Sequence, residues 1–465
     1  MGPVEMDGTL RALAAHTLAV TRESLTPAAL HATKKLLVDS MACAVGGYAG
    51  EPCAISRRLA VRSIGTPSAR LIGSGASTTM EMACFANSVM VRYLDFNDTY
   101  TSIGEGHPSD MLPAVLAAAE GYGASGLETL IAMAAGVEIF MQMADTFGLA
   151  ERGWDHGFFI CLASVAGCAH ILKLNETQIC NAMAIAASAN VPTRHTRRGE
   201  LSMWKGCATA ASAREGLFAA LLAKDGMTGP PLAIEGKHGV WDQVTGVFHL
   251  APVPSKRGRF GVERTGIKYF PTEYHSHVPL ALLQKLRSQV KLEDITNIHI
   301  ETYQRGYSEV GDEPQRWDPQ TRETADHSLP YMLAVILADG EMTVDSFSDA
   351  RILDPALRPL MKMITVAENP EFTQLFPKKL RARVTVTTRD GEKHSAQADH
   401  PRGHEFDPMT DDEVNRKFDA LCAPFMAIGQ RAQLLEAMWS LDAAPHVGRM
   451  MDLACFDKEG NSSWT

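Results

Sequence analysis

Residues 205–224 read KGCATAASAREGLFAALLAK, and this stretch decides what kind of fold the chain can form. Alanine has the highest helix propensity, and Asp225-Gly226 follows as a stop, so the run predicts a helix from Lys205 to Lys224. Its small side chains let neighbouring helices approach closely, which suits a buried bundle. Toward the N-terminus the same pattern recurs. Thr26 can cap a helix and Pro27 suits its first position. Leu30, Lys34, Leu37, Met41 and Val45 follow at helical spacing until Gly46-Gly47. Ser125-Gly-Leu-Glu128 is a capping-box pattern ahead of LIAMAAGVEIFMQMA.

Toward the C-terminus the pattern changes near residue 255. Asn297–Tyr303 and Arg381–Thr388 alternate like half-buried strands, and Asp390-Gly391 reads as a hairpin turn before Lys393. Ser328–Asp339 and Asp354–Ala367 look helical, and helix returns at Asp411-Asp412. The expected fold is mainly α: a large all-helical domain over 1–255, completed by 404–465, and a smaller α+β domain over 256–403.

The 465 residues are too many for one small core at about 100–200 residues per domain. Apolar residues at 45% and charged residues at 21% are ordinary for a globular protein and exclude a disordered chain or a rod. A net charge of -10 argues against nucleic acid as a partner, although a local pocket can still be basic. Nine cysteines without CxxC or metal-type spacing read as reduced, buried thiols. The opening MGPVEMDGTLRALAAH lacks the pattern of a secretion signal. The apolar runs at 111–119 and 131–144 read as too short to span a bilayer. A cytoplasmic protein with no membrane partner is the expectation.

Three stretches carry chemistry. Arg92-Tyr-Leu-Asp95-Phe-Asn97-Asp98-Thr99-Tyr100, with Gly106-His107-Pro108-Ser109-Asp110, gathers carboxylates, an amide, a hydroxyl and an imidazole. Asp95 and His107 are an acid–base pair, and Asn97 and Thr99 can orient a substrate. Arg194-His-Thr-Arg197-Arg198, with Trp204-Lys205, can clamp carboxylates, Arg197 in bidentate fashion. Lys205 has only Ala208 and Thr209 at the i+3 and i+4 positions, so a substrate carboxylate is its expected counter-charge. Lys268-Tyr-Phe-Pro-Thr-Glu273-Tyr-His275-Ser-His277 adds a cation, a carboxylate and imidazoles at the domain change. No further ligand completes a metal site around His275-x-His277. Asp326-His327-Ser328-Leu-Pro-Tyr331 reads mainly as a helix start. No phosphate loop, GxGxxG after a strand or GxSxG elbow is present, so the expected chemistry is acid–base work without a nucleotide.

Taken together, LDFNDTY with GHPSD, LSMWKG, KYFPTEYHSH and ETADHSLPYMLA resemble, in order and over nearly the whole chain, the 2-methylcitrate dehydratase or MmgE/PrpD family, which includes cis-aconitate decarboxylases. The resemblance implies that the smaller domain is a lid, that the active site lies in the interdomain cleft, and that the protein is a homodimer. It implies chemistry on small di- or tricarboxylates with no metal and no organic cofactor. Matching motifs carry active-site roles to Asp95, Thr99, His107, Lys205 and Lys268, and a pocket role to His156. Glu273 stands where the decarboxylase branch has a histidine, and the Thr99–His107 spacing is dehydratase-like. The expected function is a hydro-lyase acting on a 2-methylcitrate-like acid, catalysed by Asp95, His107, Lys205 and Lys268. Asn97, Thr99, His156, Arg197, Glu273 and His275 are expected to bind substrate. Decarboxylation of cis-aconitate, or epimerisation of a related dicarboxylic acid, is the alternative.

Overall fold

A computed structural model describes residues 5–254 and 258–457. The expected domain change at 255/256 and the last residues of the completing segment therefore lie outside the described residues. Capping chemistry sets the early helices. Thr26 accepts from the Ala29 N–H to open Pro27–Gly46. Ser125 and Glu128 form the reciprocal box that opens Gly126–Ala144.

Gly126–Ala144, Gly157–Leu172 and Ala208–Lys224 pack at the centre of a first apolar core. Glycine is what allows their close approach. A Cβ on Gly216 would collide with the Cys161 carbonyl oxygen, and one on Gly136 would sit 2.8 Å from the Ala163 oxygen. Gly126–Ala144, at 19 residues, is by length and composition long enough to cross a membrane, contrary to the expectation for this stretch. In the fold 83% of its apolar window is covered by protein.

Two findings correct the expected helices and the all-helical character of this part. The alanine-rich helix begins at Ala208, and Met203–Gly206 before it form a separate 3₁₀ turn, so Lys205 lies outside the helix. Two small antiparallel ribbons also interrupt the helices: β1 (Ser68–Arg70) with β2 (Ser77–Thr79), and β3 (Tyr100–Thr101) with β4 (Glu105–Gly106). Strands of two or three residues are too short for alternation to reveal them.

The first core draws on residues from Leu10 to Ile267 and again from Met409 to Ala454. The helix Asp411–Cys422 lies against Pro27–Gly46, and Lys417 reaches the buried Asp39 at 2.6 Å.

A second core, from Phe270 to Val386, forms around one sheet. Its strands are β5 (Ile295–Thr302), β6 (Ile364–Glu368), β7 (Ala382–Thr388) and β8 (Lys393–Ala398), in the order β6-β5-β7-β8. β5 and β6 are parallel and the other pairs antiparallel. Ile298 and Ile300 on β5, with Val384 and Val386 on β7, belong to the same buried cluster as the helices His277–Arg287 and Leu329–Asp339. Gly391, at φ 85°, turns the β7–β8 hairpin as its Asp-Gly pair predicts. β6 corrects the helix expected over Asp354–Ala367. Helix there ends at Met361, and the β-branched Ile364-Thr365-Val366 pair with β5. A parallel partner more than 60 residues away leaves no local sequence signal.

Candidate active site

The two cores meet where the first chemical stretch crosses. The helix Met80–Tyr93 ends at Leu94, and Asp95 takes the left-handed conformation, φ 50°, that turns its carboxylate inward. Thr99 and Gly266 exchange backbone hydrogen bonds of 2.8 and 2.9 Å, which tie this loop to the chain just ahead of Lys268. β3 and β4 then bring His107 back beside the loop.

Asp95 is the centre of a buried charge cluster. Its Oδ1 accepts from Arg92 Nη1 and Lys268 Nζ, both at 2.5 Å, and its Oδ2 from Lys205 Nζ at 3.1 Å. Lys205 also donates to Asp326 Oδ1 at 2.7 Å. Lys268 directs its other protons to the backbone oxygens of Asp95 and Thr272, both at 3.0 Å. Burial opposes a charge on Asp95, but Arg92, Lys205 and Lys268 outweigh it and hold the carboxyl well below its usual range. Lys205 is thus supplied with partners by distant residues, which corrects the expectation that its counter-charge comes from substrate. Both lysines spend their protons inside the protein.

The carboxylates of Asp95 and Asp326 and the His327 ring offer ligand atoms all within 4.8 Å of one another, the geometry of a cation site. The cation found there is the Lys205 ammonium.

Two histidines carry defined tautomers. His107 Nδ1 lies 2.7 Å from the Asp98 carbonyl oxygen, which can only accept, so Nδ1 carries the proton and Nε2 a free lone pair. Burial, reinforced by Arg92 and Lys268, pushes its pKa well below the usual value. His327 Nδ1 lies 2.6 Å from Asp326 Oδ1. Burial and Lys205 push the His327 pKa down to about 4.

These groups enclose a cavity of about 50 Å³. Asp95, Thr99, His107, His156 and Arg197 line it from the first core, and Lys268, Glu273, His275 and His327 from the other side. Asn97 and Lys205 do not line it. Asn97 donates to Ser109 Oγ and Asp110 Oδ1, both at 2.9 Å, and so braces the loop rather than facing a substrate. Burial raises the pKa of Glu273, against the pull of His275. Burial opposes a charge on His275, but Glu273 and Glu105 outweigh it and raise its pKa.

Arg197 gives Nε to Asp155 at 2.9 Å and Nη1 to the Lys205 carbonyl at 3.0 Å, yet its buried Nη2 has no partner. Arg194 pairs with Glu309 at 2.8 Å through Nη2 and leaves Nε unpartnered, and His156 Nε2 is likewise unpartnered. Buried polar atoms in folded proteins are nearly always satisfied, so the idle nitrogens of Arg194 and Arg197 beside one cavity mark a place for an acceptor.

Among the described residues, eight that line the cavity stand outside the expected site: Arg92, Thr101, Glu105, Gly106, Arg194, Tyr274, Glu309 and His327. Arg194 lies in the basic run already singled out. His327 was hidden in an apparent helix start, and Glu105 and Glu309 stand in no motif.

Comparison with known families matches residues 11–252 to the MmgE/PrpD N-terminal domain and 270–443 to the MmgE/PrpD C-terminal domain. The chain belongs to the MmgE/PrpD family. Among curated MmgE/PrpD relatives, a 2-methylcitrate dehydratase of Cupriavidus necator is 27% identical over 400 residues, covering 80% of this chain and 81% of that protein. The 2-methylcitrate dehydratase of Escherichia coli K12 is 29% identical, covering 69% of this chain and 71% of its own. Human cis-aconitate decarboxylase is 24% identical, covering 90% and 88%.

Proposed function

We propose that the protein is a cofactor-independent hydro-lyase that removes water from a small hydroxy polycarboxylate of the 2-methylcitrate type, in the cytoplasm. The observation that carries this reading is the pair of unspent donors, Arg194 Nε and Arg197 Nη2, around a cavity that also holds histidines of low pKa. A carboxylate seated on the arginines forms charge-assisted hydrogen bonds and satisfies the buried donors. Held there, it takes up the negative charge that builds as the neighbouring carbon loses its proton.

Water loss needs a base for that carbon proton and an acid for the departing hydroxyl. Neutral imidazoles at His107 and His327 provide lone pairs. Glu273, a cavity carboxyl whose pKa burial raises, is the acid. Asp95, with both oxygens engaged by three cations, positions Lys268 and Lys205. Thr99 and His275 border the substrate.

A cavity of about 50 Å³ holds only a few water molecules, so substrate enters when the second core swings as a lid. The Arg305–Glu105, Arg194–Glu309 and Lys205–Asp326 pairs close it again.

NMR of the purified protein with 2-methylcitrate, citrate, cis-aconitate and iminodisuccinate tests the assignment. A new alkene from a hydroxy acid is expected. Carbon dioxide from cis-aconitate, or α-carbon deuterium exchange with no water lost, would replace this reading with decarboxylation or epimerisation.

A further inference from the structure

We propose that His327, oriented by Asp326, is the base that takes the carbon proton. This rests on the dehydration reading above and decides between its two imidazoles. His327 is 5% exposed and lines the cavity. Its Nδ1 is held 2.6 Å from Asp326 Oδ1, so the ring nitrogen left for the cavity is Nε2. Asp326 is itself fixed. Its Oδ1 accepts from Lys205 at 2.7 Å, and its backbone oxygen accepts from the Glu273 N–H at 2.9 Å. The base and the acid are therefore placed by one residue.

The difference between His327 and His107 lies behind the ring. His107 is backed by a neutral carbonyl, that of Asp98, whereas His327 is backed by a carboxylate. An imidazolium formed at His327 meets a carboxylate at hydrogen-bond distance, one it shares with Lys205, the Asp–His arrangement that orients a histidine to accept a proton. His107, 5.4 Å from the His156 ring, has Arg92 and Lys268 set against the pull of Asp95 and no carboxylate on its Nδ1, and serves as a hydrogen-bond acceptor for the substrate hydroxyl. The groups facing His327 are Asp326, Lys205 and Asp95, the last 4.0 Å away.

The step balances within the site. Nε2 of His327 takes the α proton, and the C–H electron pair becomes the Cα–Cβ double bond. The Cβ–O bond breaks, and the hydroxide takes the Glu273 proton and departs as water. The imidazolium proton then returns to the Glu273 carboxylate through water.

Two measurements test this. In steady-state kinetics on the acid that the wild type dehydrates, His327→Gln lowers kcat by about 10²–10⁴-fold with KM changed less than about threefold, and the melting temperature holds. In ¹⁵N-histidine spectra at neutral pH, with the variant used to assign the signal, His327 shows a protonated Nδ1 and a bare Nε2. Retention of more than about a tenth of wild-type turnover in His327→Gln, or a protonated Nε2 in the spectrum, overturns the proposal. If the variant fails to fold, the wild-type tautomer decides. A wild type that dehydrates none of the acids refutes the functional reading, and the base assignment falls with it. An active wild type with an unaffected variant refutes the base alone.

Discussion

Lys205→Met removes one ammonium from a cluster that is otherwise kept. In the folded protein Lys205 is 3% exposed and joins Asp95 to Asp326. After the change Asp95 keeps Arg92 and Lys268, but Asp326 keeps only the His327 ring, whose charge burial still opposes. Removing one partner of a buried pair costs about 3–5 kcal/mol, and the smaller figure applies because only one carboxylate is stranded. At roughly 2–4 °C per kcal/mol, about 3 kcal/mol lowers the melting temperature by about 6–12 °C.

The loss depends on pH with a defined sign. In the wild type Lys205 and His327 outweigh burial and hold the Asp326 pKa below its unfolded value, so this carboxylate stabilises above about pH 4 and the contribution fades as pH falls. Without Lys205 burial raises that pKa instead. The variant is then destabilised most at neutral pH, and the deficit shrinks as Asp326 takes up a proton on acidification. Adding Asp326→Asn should recover at least half of the loss. Calorimetry of the two single variants and the double variant, at pH 5 and pH 8, checks this. An unchanged melting temperature for Lys205→Met, or additive losses in the double variant, would refute the pairing argument.

The remaining expectations concern the site and the assembly. The acid limb of kcat/KM should fall near the His327 value of about 4 rather than at an ordinary histidine pKa; an acid limb near pH 6.5 tells against His327 as the base. Arg197→Met should raise KM at least tenfold because the Nη2 donor is removed, and should lower the melting temperature because the buried Asp155 loses its partner; an unchanged KM removes Arg197 from carboxylate binding. Activity should survive exhaustive chelation, since the cation between Asp95 and Asp326 is an ammonium; loss restored by one specific metal says otherwise. Light scattering should show a homodimer at working concentration, and a monomer contradicts the resemblance-based expectation.

Local chemistry was legible and non-local chemistry was not. Thr26 and Ser125 announce their helices because a cap acts within three residues. β6 was read as helix because its partner is remote. The same rule divided the site. Asp95, Thr99, His107, Lys268 and Glu273 stand in dense polar motifs and reach the cavity. Lys205 was recognised as an unusual cation, but its partners lie 110 and 121 residues away, so the deduction that it lacked one failed. Asn97 belongs to the same polar run as Asp95 and nevertheless points into the loop's own bracing. Residue type sets what a side chain can do, and tertiary position decides whether it faces the substrate.

Asp95 and Lys205 come from the chain that builds the first core, Asp326 from the chain that builds the second, and their pairing crosses between them. The two halves of the gene are therefore not interchangeable cassettes. A chimera that joins this chain up to Ile267 to the second half of a relative leaves Lys205 with Asp95 alone unless that relative supplies a carboxylate at the place of Asp326. Recombination between distant members of such a family would then be filtered first by charge bookkeeping at the seam, before any question of substrate preference arises.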